Sequence, residues 1–207
     1  MSTRTLSDRT AGLEWEVAAA PAPGEDVLGD LAVVAFADGH AIAGAVDGLG
    51  HGAQAAAAAQ AAASVLGQSA GRDPAAAVLD CHEALRDTRG AAVSLASIDV
   101  REHEMTWLGV GNVEARLLHG AEPTAPTESL LLRAGIVGHA LPQLSAQTLR
   151  IARGDVLIFA SDGIRRDFAD SLVLSGSCRE IAERILQRYA LGSDDALVLV
   201  VRYLPRG

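Results

Sequence analysis

Asp30, Asp47, Asp162 and the pair Asp194-Asp195 each stand where an apolar run gives way to glycine or another turn residue. Brought together, they make an all-oxygen donor set, which suits hard ions such as Mg²⁺ or Mn²⁺ and argues against zinc. Carboxylates gathered without lysine or arginine among them are costly unless cations neutralise them. Two such ions can activate a shared water and neutralise a phosphoryl group during in-line attack. Taken singly, each is an ordinary turn aspartate. The chemistry therefore depends on whether the fold gathers them.

The stretch Asp47-Gly48-Leu49-Gly50-His51-Gly52 lies between an apolar run, residues 41–46, and an alanine-rich segment. The run reads as a buried strand, and the glycines permit a tight loop holding a carboxylate at its end. Upstream, residues 30–37 form a second apolar run, and Asp38-Gly39 between the two is a hairpin signal. With Asp38 and Gly39 as the turn, Ala37 faces His40 and Asp30 faces Asp47. Like charges directly opposed across an antiparallel pair are destabilising, so a divalent cation between them is the simplest reason for the pairing.

The remaining elements supply the other carboxylates. Residues 156–160 are a strongly apolar strand ending on Ser161-Asp162-Gly163. A helix over about 178–190 follows, and then the final strand, 196–201, directly after Asp194-Asp195. Strand, helix and antiparallel return place Asp162 and Asp194 at one end of a sheet. Residues 13–17 alternate as a half-buried strand, 53–66 read as a helix, and Asp73-Pro74 caps a second helix with Val78, Cys81, His82 and Leu85 on its apolar face. Three strands between 91 and about 118 read as an antiparallel meander turning at Arg101-Glu102 and Gly111-Asn112.

A chain of 207 residues with 49 % hydrophobic but only 3 % aromatic residues must build its core from thin side chains and closely spaced elements. We expect one domain over residues 1–207, with 1–12 flexible. The net charge of −9 argues against nucleic acid as a partner. No apolar stretch reaches the length of a membrane span or resembles a signal peptide, and Cys81 and Cys178 lack framework spacing. A cytoplasmic monomer is the expectation. Arg86 follows Cys81 one residue too soon for a cysteine-based phosphate loop. No aspartyl-nucleophile motif follows an apolar strand, and no Gly-Lys-Ser/Thr P-loop exists.

Asp47-Gly48-Leu49-Gly50-His51-Gly52, Ser161-Asp162-Gly163 and Asp194-Asp195, in this order and spacing, resemble the metal-dependent PPM (PP2C-like) serine/threonine phosphatases. The resemblance is closer to their bacterial SpoIIE-like branch. Thr88-Arg89-Gly90, Gly109-Val110-Gly111-Asn112-Val113 and the chain's size are similar to RsbX-type phosphatases, which reset stressosome proteins. The resemblance implies an α+β fold, a four-layer α-β-β-α sandwich of two antiparallel sheets flanked by helices. It implies two Mn²⁺ or Mg²⁺ ions held by Asp30, Asp47, the Gly48 carbonyl, Asp162 and Asp194, with Asp47, Asp162 and Asp194 the catalytic set and Asp195 the alternative to Asp194. It also implies a hydroxide bridging the ions as nucleophile, and phosphorylated stress-signalling regulators as substrates. Arg89 is a candidate for meeting substrate phosphate. Some positions depart from the pattern: Leu28 stands where relatives carry serine, Ala196 where threonine is common, and Leu49 where eukaryotic relatives carry a histidine general acid, with His51 a candidate replacement. The rival expectation is a catalytically weak or inactive module of this fold that binds a signalling partner.

Overall fold

In the computed structural model, which describes residues 8–10, 12–120, 125–170 and 172–205, the chain folds as strands with three α-helices. The early strands are β1 (Asp8–Thr10), β2 (Leu13–Ala20), β3 (Asp30–Ala37) and β4 (His40–Gly48). Helices α1 (Gly52–Leu66) and α2 (Pro74–Ala84) follow, then β5 (Ala91–Asp99), β6 (Glu104–Val110) and β7 (Glu114–Leu118). Short strands β8 (Glu128–Ser129), β9 (Leu132–Arg133) and β10 (Gln147–Arg150) lead to β11 (Val156–Ala160), α3 (Cys178–Tyr189) and β12 (Ala196–Tyr203). The expected flexible stretch 1–12 falls mainly outside the described residues; within it, Asp8–Thr10 pair with β2.

Two sheets stack on each other. One runs β1-β2-β12-β11-β7-β8, the other β10-β6-β5-β4-β3 with β9 beside β6. Alternation along β4 shows how the layers form. Ala41, Ala43 and Ala45 join the core between the sheets, while Ile42 and Val46 join the core beneath α1 and α2. The inter-sheet core also holds Trp107, Phe159 and Leu199, and Trp107 is fully buried with its Nε1 donating to Gln147 Oε1 at 3.1 Å. On the opposite outer face, Ile181, Ala182 and Ile185 of α3 pack on Ala18, Ile158, Val198 and Val200. The order is helix, sheet, sheet, helix, as expected.

Local sequence explains each helix. Asp73 caps α2, its carboxylate accepting from Ala76 N at 3.0 Å with Pro74 next in line, and Ser177 with Glu180 forms a reciprocal cap on α3. The alanines of α1 let it lie hard against the hairpin: a Cβ on Gly48 would run into the Ala55 carbonyl oxygen. As expected, Cys81 and Leu85 are fully buried in the α2 face, and His82 is half-buried, its Nδ1 accepting from Gly138 N.

Two expectations need correction. The stretch 91–118 is not a three-strand meander: β5 and β6 pair, but β7 crosses to the other sheet and pairs with β11. Gly111, at φ 101°, and Asn112 carry this crossover, and the Ser94 hydroxyl pins it by donating to the Val113 carbonyl at 2.7 Å. The sheets are also not wholly antiparallel, because β9 lies parallel to β6.

Candidate metal centre

The hairpin delivers the first two carboxylates. Asp38 and Gly39 adopt φ values of 47° and 87°, the doubly left-handed turn that matches strand twist. The register that follows pairs Ala37 with His40 and Asp30 with Asp47, as the count from the turn requires. Asp30 is 3 % exposed, and its Oδ2 is buried with no hydrogen-bond partner. A buried carboxylate oxygen without a donor is expensive, and a cation removes that cost.

The second pair arrives on the other sheet. β11 and β12 are antiparallel neighbours, and Ser161 N donates to the Leu197 carbonyl just beyond their paired ends. Asp162 and Asp194 therefore emerge at the same sheet end. The buried Ser161 hydroxyl accepts from Leu197 N at 2.9 Å and favours the charged form of Asp30, which brings the two sheets' carboxylates into one site.

The carboxylates feel one another. Burial pushes Asp47 up to about 8, and the charges of Asp30, Asp162 and Asp194 push the same way. Asp30 is raised to about 7, chiefly by burial, with Asp195, Asp162 and Asp194 adding and the Ser161 hydroxyl opposing. Asp162 is raised by burial and by Asp194, while the Asn112 amide and Arg166 draw it down. Burial and like charge both oppose the ionised forms, so protons or cations must settle the charge. Among the described residues, no three His, Cys, Asp or Glu side chains close into a tight metal cage. An oxygen donor set without such a cage suits ions that keep several water ligands. The oxygen donor set, the mutual repulsion and the orphaned Asp30 oxygen fit hard divalent ions.

Asp194 and Asp195 play different parts. Asp194 is exposed at the rim, whereas Asp195 is buried, its Oδ1 accepting from Ala22 N and its Oδ2 from Gly29 N, both at 2.8 Å. Both oxygens of Asp195 are thus engaged by backbone. Arg89 is exposed, with Nη1 2.6 Å from where a Cβ of Gly50 would stand, so it borders the glycine loop. His51 Nδ1 lies 2.6 Å from Glu25 Oε1, and its side chain is 70 % exposed. Leu49 N donates to the Gly90 carbonyl. Cys81 and Cys178 are buried, and burial pushes each thiol up to about 12, which removes thiolate chemistry.

Sequence reasoning missed Asn112. Its Nδ2 donates to Asp162 Oδ2 at 2.7 Å, and the same amide draws Asp47 down, so one side chain acts on both carboxylate pairs. The signal was present as Gly111-Asn112, but it belongs to the crossover between sheets and not to a hairpin turn.

Comparison with known proteins agrees with this fold. The family model described as stage II sporulation protein E (SpoIIE) matches residues 37–204. The phosphoserine phosphatase RsbX of Bacillus subtilis (strain 168) is 24 % identical over 181 residues, covering 87 % of this chain and 89 % of RsbX. A crystal structure of RsbX in complex with magnesium superposes with a TM-score of 0.85 at 21 % identity, covering 97 % of this chain and all of that one. A structure from work on the bacterial stressosome as a system adapted to secondary messenger signalling gives 0.82 at 28 % identity, over 92 % and 99 % of the two chains. The catalytic domain of the phosphatase PstP with two manganese ions gives 0.69 at 17 %, over 93 % and 98 %. The chain belongs to the SpoIIE family of PP2C-like serine/threonine protein phosphatases.

Proposed function

We propose that this chain hydrolyses phosphoserine or phosphothreonine on stressosome-type signalling proteins, using two divalent ions held at the sheet ends. The observation that carries the reading is the pairing of buried Asp30 with half-buried Asp47 directly across the hairpin, with one Asp30 oxygen left without a donor. Similarity to RsbX and to a stressosome-related structure supports the choice of substrate class.

Asp30, Asp47, Asp162, Asp194 and the Gly48 carbonyl would hold the ions. When bound, two Mn²⁺ or Mg²⁺ ions would supply an activated water for in-line attack and neutralise phosphoryl charge. The chain's residues do the rest. Asn112 holds Asp162 by a hydrogen bond and favours the charged form of Asp47, and Ser161 favours the charged form of Asp30. Arg89, at the edge of the glycine loop, meets the substrate phosphate, a role suited to a guanidinium with no ion pair among the described residues. Leu49 offers no proton and His51 is engaged by Glu25, so the leaving serine oxygen takes its proton from water.

The reading is tested by turnover of a phosphoserine peptide and an aryl phosphate with Mn²⁺ and with EDTA. We expect turnover with Mn²⁺, its loss on chelation and its return with Mn²⁺ or Mg²⁺. Binding of a signalling protein with no turnover under any metal would instead establish the inactive-module alternative.

A further inference from the structure

The inference concerns Asp195 and rests on the metal-centre reading above. We propose that Asp195 is a positioning residue, not a ligand: its buried carboxylate sets the spacing of the segments that carry the ligands and thereby sets metal affinity.

Backbone groups from the segments that carry the ligands converge on or through this one residue. Asp195 Oδ2 accepts from Gly29 N at 2.8 Å, which fixes the residue preceding Asp30. The Gly29 carbonyl in turn accepts from Gly48 N at 3.1 Å, which carries the constraint to the strand end bearing Asp47. Asp195 Oδ1 accepts from Ala22 N, anchoring the start of the loop that leads to Asp30. The Asp195 backbone N donates to Asp194 Oδ1 at 2.8 Å and orients that carboxylate. Its carbonyl oxygen lies so close to Gly163 that a Cβ there would collide with it, which sets the approach of Asp162. Gly29 is required for the same reason: a Cβ on it would stand 2.8 Å from Asp195 Oδ2 and 2.9 Å from the Ala55 Cβ. A carboxylate that accepts two backbone N–H groups is a strong, directional tie, because charge-assisted bonds are short and buried ones are costly to break. Groups that orient ligands, without touching the ion, commonly control affinity about 10- to 100-fold.

The test is Mn²⁺ titration by calorimetry on metal-stripped protein, at a temperature where circular dichroism shows every variant folded. It compares the parent with Asp195→Asn, Gly29→Ala, Asp47→Asn and Asp155→Asn. Asp155 is the control: it is equally buried and its carboxylate accepts from Ala152 N and Gly120 N, but it precedes β11 whereas Asp162 follows it. We expect Asp195→Asn and Gly29→Ala to weaken Mn²⁺ binding about 10- to 100-fold, with kcat recovering once Mn²⁺ is raised to saturation. Asp155→Asn should lower the melting temperature and leave Mn²⁺ affinity at the parent value. Gly29→Ala retains the Asp195 carboxylate, so it decides the matter if Asp195→Asn does not fold. Parent-like affinity in Asp195→Asn overturns the inference. So does failure of saturating Mn²⁺ to restore its kcat, which would make Asp195 a ligand. If the parent binds no Mn²⁺, or Asp47→Asn binds it like the parent, the metal-centre reading itself fails, an outcome separate from the failure of Asp195 alone.

Discussion

Asp30 and Asp47 hold the account together at the scale of single residues, and their chemistry gives a pH prediction. In the metal-free protein their folded-state values sit near 7 and 8, above the unfolded carboxylate value of about 3.9. Between those limits the folded state binds more protons than the unfolded state, so stability falls as pH rises. The metal-free melting temperature should drop from about pH 4 to about pH 8, by at least about 3 °C, since one pKa unit is worth about 1.4 kcal/mol. Saturating Mn²⁺ should abolish most of that slope. A melting temperature that climbs over the same range would mean that the carboxylates are stabilised without ions. Arg89 gives a second test at this scale. Losing a charged hydrogen bond to substrate phosphate costs about 1.5–3 kcal/mol, so Arg89→Ala should raise KM for a phosphoserine peptide about tenfold or more with little change in kcat. Unchanged turnover at subsaturating peptide would remove Arg89 from the site.

At the scale of elements, the close fit of α1 on the β3–β4 hairpin is the feature that holds the glycine loop. Gly48→Ala would force a methyl group into the Ala55 carbonyl, so the helix must retreat. Denaturant melts should show a loss of about 1–3 kcal/mol, together with weaker Mn²⁺ binding. The hairpin was legible in the sequence because Asp-Gly fixes a two-residue turn, and a fixed turn fixes every partner outward from it, Asp30 and Asp47 included. The strand ending on Asp162 and the return from Asp194 were legible for a similar reason: a short apolar run, one helix and a second run leave one antiparallel solution. The crossover at Gly111-Asn112 was not legible, because a glycine turn between two apolar strands has the same local pattern whether the second strand stays in its sheet or joins the other. Asn112 was lost with it. Asp195 was indistinguishable from Asp194, since two adjacent aspartates differ only in which one faces inward, and long-range contacts to Ala22 and Gly29 decide that.

At the scale of the whole molecule, each sheet contributes one carboxylate pair, so the site exists only while the two sheets stay stacked on their shared core. No helix among the described residues is long and apolar enough to cross a membrane. The two thiols are buried in separate helix-facing cores. The double variant Cys81→Ser, Cys178→Ser should therefore lose stability but retain metal-dependent turnover, and thiol-dependent activity would point to other chemistry. The central claim, that ions join Asp30 to Asp47, is tested most directly by Asp47→Asn, with turnover and melting temperature measured on one preparation with and without Mn²⁺. Free ion about a hundredfold above its dissociation constant should stabilise the parent by roughly 2.7 kcal/mol. The variant should lose turnover and most of that rise, while its metal-free form melts no lower than the metal-free parent because the repulsion with Asp30 is gone. A variant that melts lower without metal yet turns over phosphopeptide at near-parent rate with Mn²⁺ would contradict the account.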